Sequence, residues 1–130
     1  MLILTIRTDK PEAEVGIFDD SKQLEYDVWH AHRELSITLH QKIVDLLAHQ
    51  GRKLEDVQGI VGFAGPGSFT GLRIGLTVAN ALSYGLNIPV VATQTDDWVA
   101  LGINRLLAGE ADALALPEYG APVHITQQKK

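Results

Sequence analysis

The stretch Gly62-Phe63-Ala64-Gly65-Pro66-Gly67-Ser68-Phe69-Thr70-Gly71-Leu72-Arg73-Ile74-Gly75 decides the fold. It opens as the end of a short, β-branched strand over Val57–Phe63, passes through a glycine-rich loop over Ala64–Gly71, and becomes helical in its apolar spacing from Leu72 to Gly85. A second buried strand, Ile88–Thr93, follows, with Asn87 and Pro89 at the junction. Residues 57–93 therefore predict strand, helix and parallel strand, joined by the right-handed crossover of α/β folds.

Upstream, Leu2–Thr8, Glu14–Asp19 and Gln23–Trp29 read as three strands, with turn chemistry at Asp9-Lys10-Pro11 and Asp19-Asp20-Ser21, which predicts an antiparallel meander. From Arg33 to Gln50 the period becomes helical: Leu35, Leu39, Ile43, Leu46 and Leu47 share one stripe, and Gly51 stands at the C-cap. Downstream, Thr95 is the expected N-cap of a helix over Asp96–Leu107, whose aspartates suit the positive end of the helix dipole, and Gly109 stops it. An Ala/Leu patch (Ala111–Leu116), a Pro-Glu-Tyr-Gly-Ala-Pro turn, a short segment Val123–Thr126 and a frayed Gln-Gln-Lys-Lys tail follow.

The order βββαβαβα is that of a single ribonuclease-H-like domain, the half-unit of the actin-like ATPase superfold: a mixed sheet with helices packed on it. Residues 1–108 are the expected domain and residues 109–130 an extension. A chain of 130 residues with 45% hydrophobic content buries one real core. The absence of cysteine excludes disulfides, thiolate metal sites and a cysteine nucleophile. The apolar run Met1–Ile6 has no preceding basic residues and is too short for a signal h-region or a membrane span, which predicts a cytoplasmic protein with no membrane attachment. A net charge of -5 opposes direct binding of nucleic acid through counterion release.

The glycine-rich loop before a helix invites a phosphate-binding reading, because backbone amides at a helix start hold anions. A Walker A loop, however, needs Lys followed by Ser or Thr, where Gly71 is followed by Leu72 and Arg73. A dinucleotide fingerprint beginning at Gly65-Pro66-Gly67 fails at Thr70. The alternative is conformational: the glycines permit a tight strand-to-helix turn, and Thr70 or Ser68 caps the helix. The helix itself is apolar nearly all round, with Leu72, Leu76, Ala79 and Leu86 on one side and Ile74, Val78, Ala81 and Leu82 on the other, so burial on two faces is expected. Gly71, Gly75, Ala79 and Ser83 form a small-residue row that suits close approach of another helix.

Taken together, Gly65-Pro66-Gly67-Ser68-Phe69-Thr70-Gly71-Leu72-Arg73-Ile74-Gly75 resembles the signature of the TsaB/YeaZ family. The three opening strands, the His32-Arg33-Glu34-Leu35-Ser36 start of the first long helix and the Asn-Ile-Pro entry to the later strand agree, so the resemblance covers roughly Met1 to Thr95. It implies a non-catalytic accessory subunit of the machinery that makes N6-threonylcarbamoyladenosine (t6A) in tRNA. Such a subunit pairs as a heterodimer with the catalytic subunit TsaD through its first two helices, with the ATPase TsaE as a further partner and tRNA met only through the complex. Carried over, the contact surface would be Leu72, Arg73, Gly75, Leu76 and Ala79 with Leu35, Leu39 and Ile43 of the preceding helix.

Two departures bear on chemistry. In the family that the chain resembles, the first strand usually ends in Asp-Thr, whereas here the pair is Arg7-Thr8, a cation where an active actin-like ATPase places a metal- and phosphate-orienting carboxylate. The resemblance also implies a second domain after the first, and only 35 residues follow Thr95 here; the second domain is expected to be absent. No cofactor is therefore expected in the isolated chain, and ATP or ADP only at a site joined with partners.

Competing readings are a nucleotide-dependent transferase or ATPase using Gly65–Gly71, and a self-associating homodimer that meets its own copy through the helix face. His30, His32 and His40 lack ligand spacing: His32 and His40 fall about 80° apart around a helix, and no third ligand is fixed, so no metal site is expected. Ser68 lies in no Gly-x-Ser-x-Gly elbow and has no assignable His-Asp pair, so no catalytic residue is assigned. Trp29 and Trp98 read as core or interface anchors.

Overall fold

In the computed structural model, which describes residues 1–31, 35–66 and 69–117, strand β1 (Leu2–Arg7) forms the middle of a five-stranded sheet. Its neighbours are β2 (Glu12–Asp19) and β4 (Gly59–Phe63); β3 (Lys22–His30) and β5 (Val90–Thr93) lie outside them, giving the order β3-β2-β1-β4-β5. The pairs β1–β2 and β2–β3 are antiparallel, as the meander predicts, while β1–β4 and β4–β5 are parallel.

Helices α1 (Leu35–His49) and α2 (Phe69–Leu86) cover one face of the sheet, and α3 (Trp98–Leu107) covers the other. Strand alternation divides the core accordingly. Leu2, Leu4, Ile6 and Ile60 pack with Leu39, Ile43, Leu76 and Ala79, whereas Ile3, Val61 and Val91 pack with Trp98, Ile103 and Leu106. Because α3 comes close to β4, a Cβ at Gly102 would overlap the Val61 side chain. The unit β4–α2–β5 is the predicted strand–helix–strand, and a single 3-10 turn, Leu54–Asp56, leads from α1 towards β4. No helix among the described residues is long and apolar enough to cross a membrane.

The helix stops fall where the sequence predicts: Gly51 (φ 66°) follows α1 and Gly109 (φ 84°) follows α3. Thr95 is not the N-cap of α3. It adopts φ 73°, and its carbonyl accepts from the Trp98 amide at 3.2 Å, so Asp96 and Asp97 stand in the turn before the helix. The Ala111–Leu116 patch forms neither helix nor strand and runs along the free edge of β5. The segment Val123–Thr126, expected as an ordered stretch, lies outside the described residues.

Candidate functional site at the carboxyl ends of β1 and β4

Two parallel strands that end side by side leave a crevice beyond their carboxyl ends, which is where open α/β sheets bind ligands. Here β1 leads into Arg7-Thr8-Asp9-Lys10, and β4 leads into Ala64 and the signature loop before α2.

Arg7 does not point an open cation into that crevice. Its Nε donates to Asp9 Oδ1 at 2.7 Å and its Nη2 to Oδ2 at 3.3 Å, and the guanidinium lies 3.8 Å above the centroid of the Phe63 ring from β4. The Arg7 side chain is 16% exposed and that of Asp9 6%. In this bidentate fork, backed by an aromatic face, the two groups satisfy each other. Phe63 in turn meets Trp98 edge-on at 5.6 Å, so the pair rests on the α3 core. On the neighbouring strands, Tyr26 donates to Glu14, which Lys10 approaches at 3.5 Å. Burial first, and that hydrogen bond second, push the Tyr26 hydroxyl well above its ordinary value, so it remains a donor.

Thr8 joins the strand to the signature helix. Its hydroxyl donates to the Gly71 carbonyl and accepts from the Gly75 amide at 3.0 Å, standing against the two groups that an α-helix links from i to i+4. A Cβ at Gly71 would overlap the Thr8 carbonyl, and one at Gly75 would overlap the Thr8 hydroxyl. The small-residue row thus admits the end of β1, not a second helix. Gly65 adopts φ 110°, which only glycine takes without strain, as the tight-turn reading requires. A crevice of about 320 Å³ in this region is bounded by Thr8, Lys10, Leu35, Thr70 and Gly71. Among the described residues no three His, Asp or Glu side chains are grouped to hold a metal ion.

Of the signature residues, Gly67 and Ser68 lie outside the described residues, and the helix begins at Phe69, so the capping role expected of Ser68 is not among the described features. Thr70 is an exposed residue of the first helical turn. The His32-Arg33-Glu34 start of the first helix likewise lies outside the description.

The expected contact surface needs correction. Leu35, Leu39, Ile43, Leu72, Leu76 and Ala79 are all buried by the chain's own core, and so is Gly75; of that set Arg73 alone is exposed. A periodicity argument finds the stripe that a helix buries, and the sheet takes that stripe on both helices. The outward faces carry other residues: Ile37 (70% exposed) and Val44 on α1, and Thr77, Ala81 and Tyr84 (92% exposed) on α2. Ile74, Val78 and Leu82 are only partly buried against the core, so the second apolar side of α2 is half covered.

Residues 29–112 match the model of a protein family described as TsaD: tRNA N6-adenosine threonylcarbamoyltransferase. The tRNA threonylcarbamoyladenosine biosynthesis protein TsaB of Escherichia coli (strain K12) is 33% identical over 119 residues, covering 83% of this chain and 49% of that relative. The solved structure of YeaZ from Pseudomonas aeruginosa superposes with a TM-score of 0.62 at 30% identity, over 72% of this chain and 45% of that one. The chain belongs to the TsaB/YeaZ group within the TsaD family.

A TsaB/YeaZ-type chain sits beside transferase relatives as well: a tRNA N6-adenosine threonylcarbamoyltransferase of Methylocapsa acidiphila is 36% identical over 89 residues, 65% of this chain and 24% of that protein. The chain spans about half the length of the TsaB relatives it matches. The ribonuclease-H-like fold is seen also in RuvC of Thermus thermophilus, at 14% identity and a TM-score of 0.51 over 96% of this chain and 85% of that one.

Proposed function

We propose that this chain works in the formation of N6-threonylcarbamoyladenosine in tRNA as a partner of a TsaD-type subunit and does not itself catalyse the transfer. The observation that carries this reading is Arg7, locked to Asp9 and laid on Phe63 at the carboxyl end of β1. A nucleotide-using site of the actin-like kind needs a carboxylate there to orient a metal and phosphate, and the Arg7–Asp9 pair fills that place with a neutralised fork. ATP or ADP would then bind only at a site shared with partner chains, TsaE would be a further partner, tRNA would be reached through the complex, and the work would be cytoplasmic.

The surface offered to TsaD is the outward face of α1 and α2, centred on Ile37, Val44 and Tyr84. Ile37 and Val44, seven residues apart on α1, and Tyr84 on α2 are exposed apolar side chains on the two helices that cover the same face of the sheet, and exposed apolar surface favours a protein contact. In isolation the same face would pair with a second copy, as an isologous dimer.

Reconstitution tests the reading. The chain mixed with its cognate TsaD should co-elute in size-exclusion chromatography and raise threonylcarbamoylation of tRNA, while the chain alone modifies no tRNA. Micromolar binding of ATP with magnesium to the isolated chain, by calorimetry, would overturn it, as would two separate peaks at micromolar concentration.

A further inference from the structure

We infer that residues 110–115 form a releasable clasp that closes the β5 edge against addition of a further strand, with Asp112 as its pin. The edge is open by topology, since β5 is the outermost strand on its side and pairs only with β4. Its outward groups include the Val90 carbonyl and the Ala92 amide, which an incoming strand would bind, and the Ala92 carbonyl, which accepts from Arg105 Nη1 at 3.2 Å. Asp112 satisfies the first two: its own amide donates to the Val90 carbonyl at 2.8 Å, and its Oδ2 accepts from the Ala92 amide at 2.8 Å. A single residue thus mimics one rung of a sixth strand, using its side chain where a strand would use a carbonyl.

The segment is held from both layers of the domain. From α3, Arg105 Nη2 donates to Asp112 Oδ1 at 2.6 Å and Nη1 to Oδ2 at 3.2 Å, while its Nε binds Glu110 at 2.9 Å. From α2, on the opposite face of the sheet, Asn80 exchanges two hydrogen bonds with the backbone of Ala115, at 2.8 and 2.9 Å. The segment therefore bridges α3 to α2 across the end of the sheet.

What makes it releasable is how it is held. Ala115 is its one buried apolar side chain, whereas Leu114 (53% exposed) and Leu116 just beyond it (62%) face outward. The Arg105 and Asp112 side chains are each about 30% exposed. A segment fixed by half-solvated polar groups, with little apolar burial, opens more readily than the strands it covers. The β5 edge beneath it carries Val90 and Val91, β-branched residues suited to pairing with another strand.

Hydrogen exchange of the full chain, read residue by residue, tests this. The Ala92 and Ala115 amides should exchange at least tenfold faster than those of β1 and β4, because they open with the clasp and not with the sheet. Equal protection of all four would make the segment an integral part of the fold and end the proposal. Asp112→Ala should speed exchange at Ala92 at least a further tenfold and leave β1 unchanged. If that variant folds poorly, Asn80→Ala frees the other end without touching the ion pair and should speed exchange at Ala115. In sedimentation velocity across a hundredfold concentration range, Asp112→Ala should gain mass with concentration where the native chain does so less. An Asp112→Ala chain whose Ala92 amide exchanges fast but whose self-association is unchanged overturns the edge-closing role.

Discussion

The Gly75 amide donates to the Thr8 hydroxyl at 3.0 Å, which ties the end of the central strand into the first turns of the signature helix. The glycines at 71 and 75 follow from that contact, since a side chain at either would displace Thr8. Gly75→Ala sets two effects against each other. Alanine gains up to about 1 kcal/mol in helix propensity over glycine, but overpacking against a buried strand costs about 1–3 kcal/mol. The net expectation is a loss of stability, read as a lower urea midpoint at unchanged m-value. Gly85, in the same helix with no atom near its missing Cβ, is the control: Gly85→Ala should stabilise by roughly 0.5–1 kcal/mol.

Thr8 itself separates hydroxyl from methyl. Thr8→Val keeps the shape and removes the group that meets Gly71 and Gly75, at an expected cost of about 1–3 kcal/mol. Thr8→Ser keeps the hydroxyl and should cost less. Combined with Gly75→Ala, Thr8→Val should be clearly non-additive, because both variants act on one contact.

Much of this was legible before any coordinates. The three-strand meander, the strand–helix–strand unit and the stops at Gly51 and Gly109 came from alternation, period and glycine placement, which report local backbone preference. The Gly65–Gly75 run pointed to the right family. What pattern alone left open was what each apolar stripe packs against. The small-residue row accommodates Thr8, which lies 63 and 67 residues from Gly71 and Gly75 in sequence, and Leu39 and Leu76 serve the chain's own sheet. Pattern identifies an apolar stripe without naming what covers it. The role of Asp112 was equally hidden, since an aspartate in an Ala/Leu patch carries no period that marks it as an edge cap.

Arg7 is the residue on which the functional reading turns. Arg7→Ala would leave the nearly buried Asp9 carboxylate without its partner, at a cost of about 2–4 kcal/mol. Arg7→Lys keeps the charge but loses the two-pronged contact and much of the stacking on Phe63, so it should fall between the native chain and Arg7→Ala. Chemical denaturation of the three proteins gives the order. An Arg7→Ala chain as stable as the native one would mean that the pair contributes nothing to the site's architecture.

The two faces of the helices should respond in opposite ways. Leu39→Ala removes a fully buried side chain and should destabilise by about 2–5 kcal/mol. Tyr84→Ala removes one that is 92% exposed and should change stability by no more than about 0.5 kcal/mol. Binding to TsaD should show the reverse emphasis, with Tyr84→Ala and Ile37→Asp weakening it at least tenfold in calorimetry while thermal melts stay unchanged. Loss of binding only in variants that also lose stability would move the contact to another surface.

The Arg105–Asp112 pair gives a dependence on pH whose sign is fixed. The hydrogen bonds from Arg105 lower the Asp112 carboxyl below its ordinary value of 3.8, with burial opposing and the Ala92 amide assisting. The groups that face it are Arg105 and that amide, with Glu110 on the far side of the guanidinium. A depressed folded-state pKa means that the native state holds the proton less tightly than the unfolded chain does. The stabilisation is therefore complete above the ordinary value and declines as pH falls through it towards the lowered one. Compared with Asp112→Asn, the native chain should hold a constant stability advantage from neutral pH down to mild acid. That advantage should then shrink below about pH 4, with the Ala92 amide losing protection over the same range. A difference that grows on acidification would show that the carboxylate is not stabilised by Arg105.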